Sequence, residues 1–152
     1  VSSAVPGSCP VGGATDPVSD SEAAAAESGR RLRSAVEQVQ ARAPDALVLV
    51  VGYPQPVPAE GHCAELGLLD AGYDEARRDL ARLDDAMRGA AEDAGAEYVD
   101  VFGASKGHDA CAGADAWVNG ATAQPGRADA YHPFQVEQDA VAELVEKAVA
   151  SS

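Results

Sequence analysis

The stretch that most limits the possible folds is Leu47-Val-Leu-Val-Val51, an unbroken run of apolar and mostly β-branched residues. A run of this kind is typical of a strand that is covered on both faces in a parallel sheet. Apolar residues recur at helical spacing before it, from Ser19 to Ala43, and after it, from Asp74 to Ala94. An α/β fold with a parallel sheet is therefore expected.

The alternation continues with a second strand and a third helix. Glu97–Phe102 predicts the strand, Gly95 suits the C-terminal cap of the helix before it, and Pro133 suits the first turn of the last helix. Residues 103–130 show no regular pattern. A chain of 152 residues can bury one core, but two strands are too few to cover three helices. We therefore expect a single domain over residues 1–152, with a three-layer α/β/α architecture that is incomplete in this chain.

The candidate catalytic segment is Asp129-Ala-Tyr-His-Pro133, which directly precedes the last helix. A histidine acts as a general base when a neighbouring acceptor holds one ring nitrogen and leaves the other free to take a proton. Asp129, three residues before His132, is a candidate for that acceptor. On spacing alone, a surface histidine with a chance aspartate nearby is the simpler explanation.

Together with Gly107-His-Asp-Ala-Cys111 and Trp117-Val-Asn-Gly120, this segment resembles the C-terminal third of secreted actinobacterial SGNH (GDSL) hydrolases, whose last block is Asp-x-x-His followed by Pro. The resemblance extends back through residues 43–54, which resemble the middle strand of that family. It departs at Phe134, where Asn is common. Neither the Gly-Asp-Ser nucleophile block nor the Gly-x-Asn-Asp block occurs in this chain. The resemblance thus implies the C-terminal half of an SGNH hydrolase domain, with its flavodoxin-like three-layer fold.

For the chemistry, the resemblance implies cleavage of an acyl ester, as in an esterase or lipase, by a serine on a missing N-terminal half. His132 would take the serine proton and return it to the leaving alcohol. Either the Asp129 carboxylate or the Ala130 backbone carbonyl would orient the His132 ring. The oxyanion donors would also lie outside this chain, so the isolated chain is expected to be inactive. The alternative is a non-catalytic remnant or interaction module that kept the fold.

Three cysteines leave one unpaired after any pairing within the chain. The resemblance implies a bridge between Cys63 and Cys111, with Cys9 linked to a cysteine on the N-terminal half. Three reduced thiols in a cytosolic protein are the alternative. Because the family is secreted, an extracellular location is expected, although residues 1–7 lack the charged and apolar regions of a signal peptide.

Ser105 offers a competing nucleophile, because Gly103-Ala-Ser-Lys-Gly107 matches a Gly-x-Ser-x-Gly elbow that follows a strand. The Ser–Asp–His order would be completed by His132 and one of three aspartates, namely Asp109, Asp115 or Asp129. Two features weigh against this reading. The residues after Ser105 are a poor start for the helix that an elbow needs, and only 26 residues separate Ser105 from His132.

Composition disfavours several other functions. A formal net charge of −14 argues against binding to nucleic acid or to an anionic membrane surface, and no apolar run approaches the roughly 20 residues of a membrane helix. His62, His108 and His132 are scattered, and no standard metal-binding or phosphate-binding motif occurs, so no metal and no cofactor is expected. The expected partners are the N-terminal half and a small ester or lipid substrate.

Overall fold

The computed structural model describes residues 17–152. These residues form four α-helices and two β-strands, together with short 3₁₀ turns at Ala64–Leu66 and Gly113–Asp115. In chain order the elements are α1 (Pro17–Arg42), β1 (Leu49–Val51), α2 (Asp70–Asp93), β2 (Glu97–Val99), α3 (Val101–Ala104) and α4 (Gln135–Ser151). Cys9 lies outside the described residues, so its expected link to a partner stays a prediction.

The two strands pair in parallel, as the apolar run predicted. Val50 lies opposite Tyr98, and the connection between the strands runs through α2, because parallel neighbours need a crossover. Val50 is buried, but Leu47 is 48% exposed and Val51 is 37% exposed. The expectation that the whole run is covered on both faces is therefore wrong. Within residues 17–152 the sheet has only two strands, which leaves one edge of β1 without a neighbour.

Helices cover the two faces of this sheet in three layers. On one face, Val50 packs with Val36 of α1 and Ala91 of α2. On the other face, Val99 packs with Ala148 of α4. Each fully buried valine contributes about 1.5–3 kcal/mol relative to an exposed one. The α/β/α order expected from the sequence is present, and the sheet in its middle layer is incomplete as expected, with two strands within residues 17–152.

A disulfide and a third apolar cluster hold the long loop between β1 and α2. Cys63 and Cys111 are bonded, as the resemblance implied, and they lie 48 positions apart in the sequence. Next to them Leu66 and Tyr73 are buried. The Tyr73 hydroxyl donates to the Cys63 carbonyl oxygen at 2.6 Å. The loop therefore has a fixed path although it contains little regular structure.

Two element boundaries differ from the sequence predictions. α2 begins at Asp70 rather than at Asp74, so the loop before it is shorter than expected. β2 ends at Val99, because the Asp100 carboxylate accepts a hydrogen bond from the Gly103 amide at 2.7 Å and so caps α3. The expected strand residues after Val99 thus belong to a cap and a helical turn.

The last helix begins later than predicted. Pro133 does not lie in its first turn but forms an antiparallel bridge with Val118, and α4 starts at Gln135. The Phe134 amide donates to the Trp117 carbonyl oxygen at 2.7 Å, which keeps this segment extended up to the helix. The bridge ties the segment that carries the candidate base to the middle of the preceding irregular region.

Candidate active site

The imidazole of His132 is exposed at the end of the loop that precedes α4. Its Nδ1 lies 2.9 Å from the backbone carbonyl oxygen of Ala130. Because a carbonyl oxygen can only accept, this contact requires Nδ1 to carry the proton. Nε2 makes no hydrogen bond within residues 17–152, so its lone pair is free. A neutral imidazole held in this tautomer is able to act as a general base through Nε2.

Asp129, the other orienting group that the sequence suggested, does not contact the imidazole. Its side chain is exposed and makes no hydrogen bond or ion pair with any residue of the described chain. Its backbone contributes instead, because the Asp129 carbonyl oxygen accepts the His132 amide at 3.2 Å and the Asn119 side-chain amide at 2.9 Å. Of the two alternatives, the Ala130 carbonyl is the group that holds the ring.

Asn119 organises the loop that leads to His132, a role that its sequence context did not reveal. It is 2% exposed, and its backbone amide donates to the His132 carbonyl oxygen at 2.9 Å. A Cβ atom at the adjacent Gly120 would collide with the Glu65 carbonyl oxygen, so only glycine permits this close approach. The Trp-Val-Asn-Gly motif contributed to the family resemblance, but nothing in its spacing assigned a function to it.

A cavity of about 530 Å³ lies beside His132. Its walls come from the segment after β1, from α2, from the loop that precedes α4 and from α4 itself. The apolar and aromatic residues that line it are Tyr53, Pro54, Pro56, Leu80, Leu83, Val118, Tyr131, Pro133 and Val141. Ligand pockets are commonly about 300–1,000 Å³ in volume and mostly apolar. The volume and lining therefore suit a small, largely apolar ligand, and His132 forms part of the wall.

Glu137 places an acid in the wall of this cavity. It is 6% exposed, and its side chain makes no hydrogen bond or ion pair with any described residue. Burial raises the pKa of the Glu137 carboxyl above its ordinary value, because the charged form loses hydration. Val141 and Ala148 of α4 pack inward against the sheet, whereas Val136 is 51% exposed. The helix instead turns Glu137 inward at its first turn.

Ser105 is not placed as a nucleophile elbow requires. Its buried hydroxyl accepts the Gln55 amide at 2.8 Å and donates to the Phe102 carbonyl oxygen at 3.1 Å. Ser105 follows the last residue of α3, whereas an elbow serine stands exposed at the start of a helix. Asp109, one of the acids considered with it, accepts the Cys111 amide at 2.8 Å instead. Ser105 therefore holds the loop after β1, and the elbow hypothesis is not supported.

The other two histidines make structural contacts. His108 Nδ1 lies 2.8 Å from the Asp115 carbonyl oxygen, and its ring stacks on Trp117 with centroids 4.5 Å apart. His62 approaches the Asp70 carboxylate at 3.6 Å. In the part of the chain that the structure describes, no three metal-ligating side chains come together. Over the same residues, no helix combines the length and the apolar character needed to span a bilayer.

Comparison with known proteins gives a consistent family match. Residues 12–135 match the sequence model of the GDSL-like Lipase/Acylhydrolase family. "Lipase 2" of Streptomyces coelicolor is 46% identical over 83 residues, which cover 53% of this chain and 28% of that protein. "Esterase" of Streptomyces scabiei is 33% identical over 103 residues, which cover 60% of this chain and 30% of that protein.

A solved structure is also similar over most of the chain. The crystal structure of phospholipase A1 from Streptomyces albidoflavus NA297 superposes with a TM-score of 0.72 at 30% sequence identity. The match covers 86% of this chain and 56% of the phospholipase. The chain therefore spans about half of that structure and less than a third of the two relatives named above.

Proposed function

The chain belongs to the GDSL-like Lipase/Acylhydrolase family, and from this premise we propose that it supplies the catalytic base of a serine ester hydrolase. His132 is that base, and the Ala130 carbonyl is the group that orients it. The observation that carries the proposal is the 2.9 Å contact between His132 Nδ1 and the Ala130 oxygen, which leaves Nε2 free on a residue that lines an apolar cavity.

In the proposed reaction, a serine hydroxyl attacks the carbonyl carbon of the ester while His132 Nε2 takes the hydroxyl proton. The ring is then positively charged, and its Nδ1–H bond to the Ala130 oxygen stabilises that charge. The C–O bond to the alcohol breaks as Nε2 returns the proton to the leaving oxygen. Water then attacks the acyl-serine by the same steps in reverse, which releases the acid. No carboxylate is needed at Nδ1 for this sequence.

The nucleophile and the oxyanion donors are proposed to lie on an N-terminal half of the same domain, which we call the front half. Support comes from the sheet, because within residues 17–152 one edge of β1 has no neighbouring strand. Leu47, two residues before β1, and Val51, the last residue of β1, are also partly exposed. A bare strand edge with apolar side chains tends to pair with another strand. The chain also spans only 56% of the similar phospholipase structure. A front half that adds strands beside β1 would complete the sheet.

We propose that the front half is joined to this chain through Cys9 and that the complete hydrolase is extracellular. The Cys63–Cys111 bond supports the location, because structural disulfides persist mainly in oxidising compartments. The 152-residue chain by itself is proposed to be inactive toward esters, since it contains neither a Gly-Asp-Ser nor a Gly-x-Asn-Asp block. Here "complete hydrolase" means the chain together with its front half, as the source organism makes it.

Hydrolysis of p-nitrophenyl esters by the complete hydrolase, with matched variants, tests the proposal. His132→Ala is expected to lower kcat by about 10⁴-fold or more, since the serine then has no base. Asp129→Asn is the matched control, and it is expected to stay within about threefold of wild type because Asp129 makes no side-chain contact.

Four results would contradict parts of this account. Equal losses in both variants would make the Asp129 carboxylate the orienting group. Full activity in His132→Ala would remove the proposed function. Turnover by the 152-residue chain alone would remove the claim that the nucleophile lies elsewhere, and a complete protein with no turnover would favour the non-catalytic remnant.

A further inference from the structure

The side-chain amide of Asn119 joins both ends of the loop that leads to His132. Its Nδ2 donates to three backbone carbonyl oxygens, those of Thr122 at 2.9 Å, Ala128 at 3.2 Å and Asp129 at 2.9 Å. Carbonyl oxygens that converge on one point repel each other unless a donor lies between them. Asn119 is that shared donor, so the convergence depends on its NH₂ group.

The oxygen of the same amide is equally engaged. Asn119 Oδ1 accepts the Gly120 amide at 2.9 Å and the Gln124 side-chain amide at 2.8 Å. Two donors at one end of the amide and three acceptors at the other define which atom is nitrogen. A buried amide with every polar atom bonded holds its surroundings in one arrangement. The last carbonyl that Asn119 holds is that of Asp129, which directly precedes Ala130.

The residue between Ala130 and His132 has a strained backbone. Tyr131 has a φ of 61°, and among the described non-glycine residues no other φ is positive. For a bulky residue this conformation costs on the order of 1–3 kcal/mol and persists only where neighbouring contacts enforce it. It turns the chain so that the Ala130 oxygen faces His132 Nδ1. The Tyr131 amide donates to the Gly120 carbonyl oxygen at 2.9 Å, and the Tyr131 hydroxyl donates to the Leu66 carbonyl oxygen at 3.2 Å. Together with the Asn119 bonds just upstream, these contacts enforce the conformation.

We propose that Asn119 is a positioning residue that sets the tautomer of His132, by holding the loop in the turn that aims the Ala130 carbonyl at Nδ1. Its role in ester hydrolysis rests on the proposed function, but its effect on the ring does not. When the shared donor is lost, the turn at Tyr131 relaxes and the Ala130 oxygen moves away from Nδ1. The neutral ring is then free to carry its proton on Nε2, where it blocks proton transfer from a serine.

Asn119→Asp is the sharpest perturbation, because it keeps the side-chain shape and one acceptor oxygen but replaces the NH₂ donor with a second oxygen. The readout is the ¹⁵N chemical shifts of the histidine ring in the 152-residue chain, which report which ring nitrogen carries the proton. The ring signals that are missing from the spectrum of His132→Gln are assigned to His132. His108 is an internal reference, since its Nδ1 makes the same kind of bond to the Asp115 carbonyl outside this loop.

Gln40→Ala is the matched control variant. Gln40 Nε2 donates to the Ala94 carbonyl oxygen at 3.0 Å, so it is also a side-chain amide that clamps a backbone carbonyl, but between α1 and the end of α2. Its loss is expected to destabilise the fold and leave both the His132 and His108 ring signals unchanged. If Asn119→Asp does not fold, Asn119→Ser provides the same readout, because one hydroxyl hydrogen on a shorter side chain cannot replace the NH₂ group that donates to three carbonyl oxygens.

In wild type, neutral His132 is expected to carry its proton on Nδ1, and Asn119→Asp is expected to shift the proton toward Nε2 while His108 stays as it was. Unchanged His132 shifts in the Asn119 variants would overturn the inference. In the complete hydrolase, Asn119→Asp is expected to lower kcat about 10²- to 10⁴-fold with little change in KM, as for a base in the wrong tautomer.

The two claims fail separately. If His132→Ala leaves hydrolysis intact, the proposed function fails, and the ring tautomer still decides whether Asn119 positions the imidazole. If hydrolysis depends on His132 but Asn119→Asp keeps full kcat, Asn119 has no positioning role in the reaction, whatever its effect on the loop.

Discussion

Removal of the Cys63–Cys111 disulfide is expected to lower the stability of this chain strongly without changing the state of His132. The bond joins residues 48 positions apart, so it restricts a large part of the unfolded chain. For a loop of that length, the loss of closure entropy in the unfolded state is worth about 4 kcal/mol at 25 °C. In a chain of this size each kcal/mol shifts Tm by roughly 2–4 °C, so the expected fall is roughly 8–16 °C.

The assay is thermal unfolding of Cys63→Ala/Cys111→Ala, followed by circular dichroism, beside wild type with and without a reducing agent. Cys9→Ser is the control, because Cys9 takes no part in this bond and its removal should leave Tm unchanged. The ring ¹⁵N shifts of His132 should match wild type below the transition, since backbone hydrogen bonds hold its loop and the disulfide does not. These bonds join the Asn119 amide to the His132 carbonyl oxygen and the Phe134 amide to the Trp117 carbonyl oxygen.

A fall in Tm of less than roughly 3 °C would refute the loop-closure reasoning. The non-covalent contacts would then suffice to hold the loop, among them the Tyr73 hydroxyl on the Cys63 backbone and the Ala110 amide bonded to the Pro56 carbonyl oxygen at 3.1 Å. A changed His132 tautomer in the double variant would show that the disulfide, and not Asn119, fixes the orientation of the His132 ring.

Three further substitutions, one of them with a matched control, test individual residues. Ser105→Ala should lower the free energy of unfolding by about 1–3 kcal/mol in urea titration, because a partly buried backbone N–H loses its acceptor. Burial raises the pKa of Glu137, so the folded state binds that proton more tightly than the unfolded chain, and stability falls as the pH rises above the ordinary value of 4.5. Glu137→Gln should therefore have a higher Tm than wild type at neutral pH and an equal Tm in acid below that value. Gly120→Ala should cost about 1–3 kcal/mol in the same titration through its clash with Glu65, whereas Gly72→Ala, with open space around its Cβ, should be neutral or stabilising by up to ~1 kcal/mol.

The framework of the fold could be predicted because helix and strand periods depend on neighbouring residues alone. The apolar run at Leu47–Val51 and the helical spacing on either side predicted a parallel strand pair joined by a helix, and that pair is present. Gly95 takes the left-handed conformation expected after α2, with a φ of 69°. Pro133 was misplaced because its suitability for a helix start is a local property, while its pairing with Val118 is not.

The decisive contacts of the candidate site could not be predicted from spacing. Asp129 and Ala130 lie almost equally close to His132 in the sequence, and the choice between them depends on the left-handed backbone of Tyr131, which no residue type in that segment signals. Asn119 reaches carbonyls up to 10 positions away across an irregular loop. The burial of Glu137 could not be predicted, because helical periodicity assigns an acidic residue to the solvent-facing side of a helix.

Labelling with a fluorophosphonate, which reacts with activated serines, tests the central claim most directly. The protein is taken as its source makes it, labelled, and mapped by mass spectrometry in wild-type and His132→Gln forms. The account predicts a labelled serine outside the 152 residues of this chain, and no labelling in His132→Gln. A label on Ser105, or labelling that persists without His132, would contradict it.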